Sequence, residues 1–421
     1  MRLELPTLQN WSCHNCAGCC RQHLIEVTEE ERQRIVSQDW TPADGVPADR
    51  PVLVWHAGPP WKKRYRLGHR SDGGCVFLNE QGLCRIHAKF GEAAKPLPCR
   101  IYPYAFHPAG GRLAVSLRFS CPSVTANRGA AVAAQRPELT ELATLAVPQG
   151  AENLPAPRLT RSEQVGWDDF QQFVTALDES FADPTAPLQL RLLRILTWTG
   201  IVEQSHFATI QGQQLQEFLG IIRQAAAVEH ARFPTAVEPS RVARLDFRIL
   251  AAAYTRKDTV DQLNSGWWGR YRLLRAILRF LRGTGELPAM QEDLPAVRFE
   301  SLELPMGRLT PGVEELFERY FRVKTQGLHF CGRGFYDAPF TEGVASLVLM
   351  FPITLWLARW VAAGKGRTQP SDDDVNLALN LADHNHGFSG LLGQGHMQTR
   401  VRRLAQTGGL ASLCTWYARP T

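Results

Sequence analysis

The chain has 421 residues, of which 44% are hydrophobic and 21% charged, a composition typical of a folded globular protein with one or more sizeable cores. A formal net charge of +6 is a small excess for this length, and it falls well below that of a dedicated nucleic-acid-binding protein. Nucleic acid is therefore disfavoured as a partner, whereas an acidic protein partner is permitted.

The N-terminal stretch Met1–Pro6 has no basic segment followed by an apolar one, so it does not resemble an export signal. We therefore expect a cytoplasmic protein whose cysteines stay reduced. Ten cysteines are present, and eight of them lie within the first 121 residues. In a reducing compartment this distribution favours metal binding over disulfides.

Four of these thiols fall in the run Cys13–Cys20, with the spacing C-x2-C-x2-C-C. A hydrophobic core uses cysteine only as a small apolar filler, so packing does not explain four so close together. Thiolate ligation of zinc or of an iron–sulfur cluster does. The predicted metal ligands are Cys13, Cys16, Cys19, Cys20, Cys75, Cys84, Cys99 and Cys121.

Eight thiols could supply two four-thiolate sites, and the sequence leaves their division open. Because adjacent side chains tend to point apart, we expect Cys19 and Cys20 to serve different metals, or one to ligate while the other tunes the metal. The run 13–20 would then be half of a site. The remaining thiols, at 75, 84, 99 and 121, must converge on it despite more than 50 intervening residues.

The segments that carry these thiols are short. Thr28 and Glu31 have the spacing of a capping box and predict a helix start, whereas residues 41–60 are rich in Pro, Gly and Asp and should be irregular. Residues 74–87 predict a small hairpin with one thiol on each arm.

Two further segments complete the thiol set. Residues 95–103 predict a proline-stiffened loop that carries Cys99. Residues 113–121 alternate like a strand that ends at Cys121.

Beyond residue 128 the pattern changes to helical periods. Residues 129–187 read as a linker with one or two short helices, and residues 188–421 as an α-helical domain. Predicted helices cover Leu188–Gln204, Gln213–Ala231, Ser240–Tyr254, Arg270–Arg282, Val313–Val323 and Asp372–Leu381. The longest apolar stretch, Val344–Leu357, is shorter than the roughly 20 residues of a spanning helix and contains Pro352, so we interpret it as a buried core helix and predict no membrane partner.

Two segments of the C-terminal region could take part in chemistry. Asp383–His386, with His396 ten residues later, could ligate a metal or act as acid and base, although polar residues at a helix end are favoured. Residues 330–336, with two glycines shortly after Cys331, could approach a cofactor closely, but a tight turn with a buried thiol is favoured.

Four motifs together resemble a known family. They are the run 13–20, Cys-Val-Phe-Leu…Gly-Leu-Cys-Arg-Ile-His over 75–87, Pro-Leu-Pro-Cys-Arg-Ile-Tyr-Pro over 96–103, and Leu-Arg-Phe-Ser-Cys-Pro over 117–122. They are similar to the CxxCxxCC zinc- or iron-chelating cysteine-cluster family (YkgJ-like), and most of all to its flagellin lysine N-methylase branch. The resemblance covers about residues 11–125.

The resemblance implies that the thiols at 13, 16, 19, 20, 75, 84 and 99 form the cluster motif and that Cys121 is a methylase-branch extension. It also implies an iron–sulfur cluster, of the four-iron four-sulfur kind, that works with S-adenosylmethionine to methylate lysine side chains of a protein substrate. The chain departs from the branch in the close spacing of its first cysteines, and its C-terminal 290 residues match no motif.

Our prediction is thus a mainly α protein, with an irregular cysteine-cluster unit that includes a short β-hairpin at 1–128, a linker at 129–187, and a larger helical region at 188–421 that covers the cluster. Iron–sulfur binding is favoured over zinc. The alternatives are a structural zinc domain that presents the helical region to a partner, and an electron-transfer iron–sulfur protein. The sequence does not define the oligomeric state.

Overall fold

A computed structural model describes residues 1–233, 235–256, 275 and 278–419 of the chain. Within this part helices dominate, and the strands are short and concentrated before residue 118, which confirms the predicted fold class. The strands are β1 (Arg2–Glu4), β2 (Glu26–Val27), β3 (Leu53–Ala57), β4 (Arg64–Leu67), β5 (Tyr104–Ala109), β6 (Arg112–Leu117), β7 (Glu286–Leu287) and β8 (Val297–Arg298).

The α-helices fall into a short N-terminal set and a longer C-terminal set. The first set is α1 (Gly18–Gln22), α2 (Glu29–Ser37), α3 (Arg85–Phe90), α4 (Leu97–Ile101), α5 (Pro122–Thr125) and α6 (Arg136–Ala146). The second set is α7 (Trp167–Ala182), α8 (Leu188–Glu203), α9 (Gly212–Glu229), α10 (Arg241–Tyr254), α11 (Pro311–Gln326), α12 (Phe340–Gly364), α13 (Asp372–Asn385), α14 (Gly395–Gln406) and α15 (Gly409–Tyr417).

Two small sheets organise the N-terminal part. In the first, β6 lies between β5, its antiparallel hairpin partner, and β1, which runs parallel to it with Leu3 opposite Leu113. In the second, β4 lies between β2 and β3, and both neighbours are antiparallel to it. A third pair, β7 with β8, lies in the C-terminal part.

The local predictions for the thiol-bearing segments have mixed outcomes. The predicted strand is confirmed as β6, but it ends at Leu117, and Cys121 follows a turn. The predicted hairpin over 74–87 is reduced to one isolated bridge between Leu78 and Cys84. Residues 41–60 are not wholly irregular because β3 pairs with β4 there, and the predicted loop around Cys99 is the short helix α4.

The buried side chains form two main groups. A small one includes Val27, Ile35 and Phe77 and lies under the second sheet and the thiol-bearing turns. The large one joins the first sheet, for example Leu117, to the C-terminal helices. The N-terminal 128 residues therefore contribute to both cores, and the three-segment division stays a prediction.

The segment predicted as a linker also contributes to the large core. Helix α7 buries Phe170, Phe173, Leu177 and Phe181 completely and packs against α11. These four residues are spaced three, four and four positions apart, so they share the face that meets the core.

Helix α12 is the centre of the helical region. It packs against α8, α13, α14 and α15, and every residue from Phe340 to Ala362 is buried. It is the one helix in the described part of the chain that is long and apolar enough to cross a membrane, with a mean hydropathy of 1.7 over its most apolar window. Its complete burial confirms the interpretation of this stretch as a core helix.

The other predicted helices of this region are largely confirmed. α8, α9, α10, α11 and α13 lie where the helical periods placed them, although α11 and α13 are longer than predicted. Most of the predicted helix over Arg270–Arg282 falls outside the described residues.

Candidate metal centre

All eight predicted ligand cysteines line one cavity of about 1150 Å³. Cys75 and Cys121 are buried, Cys13 and Cys16 are exposed, and the other four are partly buried. The thiols therefore converge from turns far apart in the sequence, as expected for a shared site. Their role as metal ligands stays a prediction.

Helix α1 carries the adjacent pair Cys19 and Cys20. Their sulfur atoms lie 4.0 Å apart, so the expectation that these two side chains point apart is wrong. Two thiolates on one tetrahedral zinc, each at about 2.3 Å, would be about 3.8 Å apart. The short helix turns both side chains toward the same cavity, and one metal could accept both.

Backbone contacts hold the next two thiols near α1. The Cys75 N–H donates to the carbonyl of Cys20 at 2.9 Å, which fixes this turn beside the helix. Cys84 is the N-cap residue of α3, and it lines the cavity from that position. The intervening turn is closed by Gly82, whose positive φ of 78° suits glycine and brings it against the carbonyl of Asn15.

The predicted capping box also positions Cys99. Glu31 accepts the Thr28 N–H at 2.9 Å through one carboxylate oxygen, which completes the box at the start of α2. Its other oxygen accepts the N–H of Leu97, at the start of α4, at 2.6 Å. A single buried carboxylate thus fastens the Cys99 helix to α2.

Cys121 and Cys16 form a second group at the other side of the cavity. Cys121 is the N-cap residue of α5, and the Cys16 sulfur packs beside Gly18 close to Pro122. In the described part of the chain no three Cys, His, Asp or Glu side chains are already placed to hold a metal ion. Binding of a metal would therefore draw the thiols closer together.

The surroundings of three of these thiols disfavour the thiolate form. Burial raises the pKa of Cys75 to about 12, and burial together with repulsion from Cys84 raises the pKa of Cys99 to about 12. The hydrogen bond with Cys20 and burial raise the pKa of Cys19 well above its ordinary value. A bound cation offsets this cost, so metal uptake would release protons and strengthen as the pH rises.

The helical region supplies one wall of the same cavity. His384 at the end of α13 and Phe388 just after it line the cavity together with Tyr102 and Arg118. The Arg118 guanidinium lies 3.6 Å from the centre of the Phe388 ring, and its Nη2 donates to the His384 carbonyl at 3.4 Å. The sequence did not predict that Arg118 contacts the end of α13, because the two segments lie more than 260 positions apart.

Buried polar groups behind this wall fix its position. Asp383 accepts the Ser120 N–H at 3.0 Å and pairs with Lys324 at 2.7 Å, and both members of the pair are fully buried. Asn380 donates to the Phe119 carbonyl at 2.7 Å. Helix α13 therefore clamps the backbone that runs from Arg118 to Cys121.

The two further candidate segments have structural explanations. His386 hydrogen-bonds to Tyr254 and Asn385 donates to two carbonyls at the end of α10, so the run 383–386 is a packed helix end as favoured, and His396 is exposed on α14. The segment 330–336 is a tight turn in which Cys331 is buried. What the sequence did not show is that the helix end faces the thiols.

These features define a cysteine-cluster protein in which a thiol-lined cavity lies between a loop-rich unit and a helical region. Residues 12–122 match the family CxxCxxCC, which is described as a "Putative zinc- or iron-chelating domain". The resemblance inferred from the motifs is thereby confirmed for this part of the chain.

Two curated proteins are similar to the same part. A protein named lysine-N-methylase from Salmonella choleraesuis (strain SC-B67) is 25% identical over 125 residues, which are 29% of this chain and 31% of that protein. A protein named flagellar biosynthetic protein FliU from Salmonella muenchen is 24% identical over 125 residues, which are 29% of this chain and 73% of that protein. The chain thus matches under a third of the lysine-N-methylase's length. No solved structure matches the chain.

Proposed function

We propose that this protein binds an iron–sulfur cluster through its N-terminal thiols and uses S-adenosylmethionine to methylate lysine side chains of a protein substrate. The observation that carries the proposal is the single cavity of about 1150 Å³ that eight thiols share with a wall from the helical region. Small-molecule sites occupy roughly 300–1,000 Å³, so this cavity has room for an organic ligand beside a metal centre. The name of the lysine-N-methylase relative supports the reaction class.

The donor set fits a soft metal centre. Thiolates bind zinc and iron–sulfur clusters, and here they come from turns and short helices that meet at one cavity. The closely spaced group at 19, 20, 75, 84 and 99 offers more thiols than one four-ligand centre needs. When bound, an iron–sulfur cluster with an open iron position would supply a coordination site for the cofactor.

The chain's own residues would orient the ligands and restrict water. Tyr102, Phe388 and Arg118 form an aromatic and cationic surface beside the thiols. Cys13 and Cys16 lie at the exposed side, where a lysine side chain of a protein partner could enter. In this proposal the protein works in the cytoplasm, which keeps the thiols reduced.

A structural zinc site is the second candidate. The small core beneath the thiols contains only nine buried hydrophobic side chains, among them Val76 and Ile86. Such a unit gains much of its stability from a metal, because metal binding to a loop-rich segment is coupled to its folding. In this alternative the helical region is the partner-binding part and no methyl transfer occurs.

Anaerobic purification followed by iron, zinc and sulfide analysis and an absorption spectrum separates the two candidates. We expect iron with stoichiometric sulfide and a visible charge-transfer band. Zinc without sulfide would refute the cluster-dependent enzyme. With iron present, incubation with S-adenosylmethionine labelled in its methyl group and candidate proteins, followed by mass spectrometry, tests lysine methylation directly.

A cysteine variant tests the ligand assignment. Cys75→Ser should lose most of the metal because this buried thiol is placed beside α1 by its own backbone hydrogen bond. Cys414→Ser is the matched control, since Cys414 is equally buried but lies in α15 outside the cavity. Equal metal content in the two variants would show that Cys75 is not a ligand.

A further inference from the structure

Arg118 is a partly buried cation that lines the thiol-bearing cavity. It forms no ion pair within 4 Å with the described residues, and its Nε has no hydrogen-bond partner among them. The single hydrogen bond from its guanidinium reaches the His384 carbonyl at 3.4 Å, which is a long contact. Burial lowers the pKa of Arg118, as expected for a desolvated cation.

The nearest carboxylate already has partners. Asp383 accepts Lys324 at 2.7 Å, the Ser120 N–H at 3.0 Å and the Tyr320 hydroxyl at 3.3 Å. Lys324 neutralises its charge in full, since both groups are fully buried and in direct contact. The charge of Asp383 also acts on Arg118, but without direct contact, so Arg118 has no carboxylate partner of its own among the described residues.

The neighbouring histidines do not change this balance. Burial and the charge of Lys324 lower the pKa of His107 to about 4 and of His386 to about 3, and they lower the pKa of His329 well below its ordinary value. All three are neutral at pH 7. Asp383, Lys324 and Arg118 together thus carry a net charge of +1.

Aromatic rings hold the guanidinium in one orientation. Phe388 stacks on it at 3.6 Å and Tyr102 lies 5.7 Å away, while the whole group faces the thiol-lined cavity. A planar guanidinium that is fixed in this way and has free N–H groups is suited to bidentate binding of a carboxylate. One positive charge matches a carboxylate better than a doubly charged phosphate.

We propose that Arg118 is the anchor for the carboxylate of a small-molecule ligand that occupies the cavity beside the thiols. The inference deepens the proposed function, because the methyl donor named there carries one carboxylate. Desolvating a charge without giving it a direct partner is unfavourable, so a ligand carboxylate that pairs with Arg118 gains both attraction and relief of this cost.

Arg100 also lines the cavity, and its Nε likewise has no hydrogen-bond partner among the described residues. It follows Cys99 in α4, next to a predicted metal ligand. Arg118 differs in that Phe388, from the wall that the helical region supplies, stacks on its guanidinium and holds it in one orientation.

Calorimetry with the metal-loaded full-length protein tests the anchor. The probes are S-adenosylmethionine, its decarboxylated analogue, and acetate as a simple monocarboxylate. The variants are Arg118→Gln, Arg118→Lys, which keeps the charge but loses the fork, and Arg223→Gln, a partly exposed control outside the cavity that is paired with Glu179. Metal content and the absorption spectrum are measured for each variant.

We expect Arg118→Gln to weaken S-adenosylmethionine or acetate binding about 10- to 100-fold, the usual effect of losing a charge-assisted hydrogen-bonding pair. Arg118→Lys should weaken it less, Arg223→Gln should not change it, and the decarboxylated analogue should bind weakly to every form. If S-adenosylmethionine fails to bind the wild type but acetate binds in an Arg118-dependent way, the anchor stands and the proposed methyl donor fails.

Other outcomes overturn the anchor. Equal affinity of wild type and Arg118→Gln for both carboxylates would show that Arg118 does not hold the ligand, even if methylation is confirmed. Binding of neither carboxylate to the wild type would do the same. A change in metal content or absorption without a change in carboxylate affinity would assign the Arg118 charge to the metal centre instead.

Discussion

Replacing Asp383 by asparagine keeps the shape of the side chain but leaves Lys324 buried without its partner. Breaking a buried ion pair in this way costs about 3–5 kcal/mol of unfolding free energy. Proton loss sets an upper bound on this destabilisation, because a neutral Lys324 no longer carries the cost of a buried charge. The interval of about 3.5 pH units between pH 7 and its ordinary pKa of 10.5 corresponds to about 4.8 kcal/mol.

The stability of the Asp383→Asn variant should depend on pH with a defined sign. In the Asp383→Asn variant the pKa of Lys324 in the folded state lies below its value in the unfolded state, so the unfolded chain binds more protons. Stability then rises with pH until the unfolded lysine also loses its proton. The penalty relative to wild type should therefore shrink by up to about 1.4 kcal/mol per pH unit between pH 7 and pH 9.

Urea unfolding of the metal-loaded protein at pH 7 and pH 9 measures both quantities. Lys365→Met is the matched control, because its lysine also pairs with a buried aspartate, Asp374, but is half exposed, and Arg367 remains as a partner. That variant should lose about 1 kcal/mol or less at either pH. A penalty for Asp383→Asn that is as small as the control's, or that is the same at both pH values, would refute the assignment of Lys324 as a buried, charged partner.

Two further perturbations test the N-terminal unit. Glu31→Ala should cost about 1–3 kcal/mol of unfolding free energy and weaken metal retention, because two backbone N–H groups lose their acceptor. Glu30→Ala, which changes an exposed neighbour, should have little effect. Urea unfolding and metal analysis measure both variants, and equal losses would contradict the role of Glu31. In the metal-free protein, Cys13 and Cys16 should react with iodoacetamide first and Cys414 only on unfolding. Peptide mass spectrometry follows the labelling, and metal loading should protect Cys13 and Cys16. Early labelling of Cys414 would contradict its burial in the structure.

Local patterns predicted the features that depend on nearby residues. The Thr28–Glu31 capping box needs a spacing of three, and it is present with both reciprocal hydrogen bonds. The clustering of thiols in the sequence likewise predicted a shared site, because four cysteines within eight positions cannot spread far apart. The extra role of Glu31 as an acceptor for the Leu97 N–H was not predictable, since it joins residues 66 positions apart.

Long-range contacts account for what the sequence did not show. The parallel pairing of β1 with β6 unites segments about 110 residues apart, and no local period encodes it. The pattern of Asp383–His386 indicated a helix end correctly but not that the end closes the thiol cavity. The expectation for Cys19 and Cys20 was wrong because it used an average tendency of adjacent side chains, whereas the short helix α1 turns both sulfurs inward.

The clamp of α13 on the backbone from Arg118 to Cys121 has a consequence for synthesis of the chain. The thiols leave the ribosome about 250 residues before the first residue of α13, Asp372, which at roughly 5–20 residues per second is an interval of roughly 13–50 s. Throughout that interval the thiol cavity lacks the wall that holds Cys121 in place. The proposed metal centre could therefore be inserted through an open side during translation, and docking of the last helices would then enclose it.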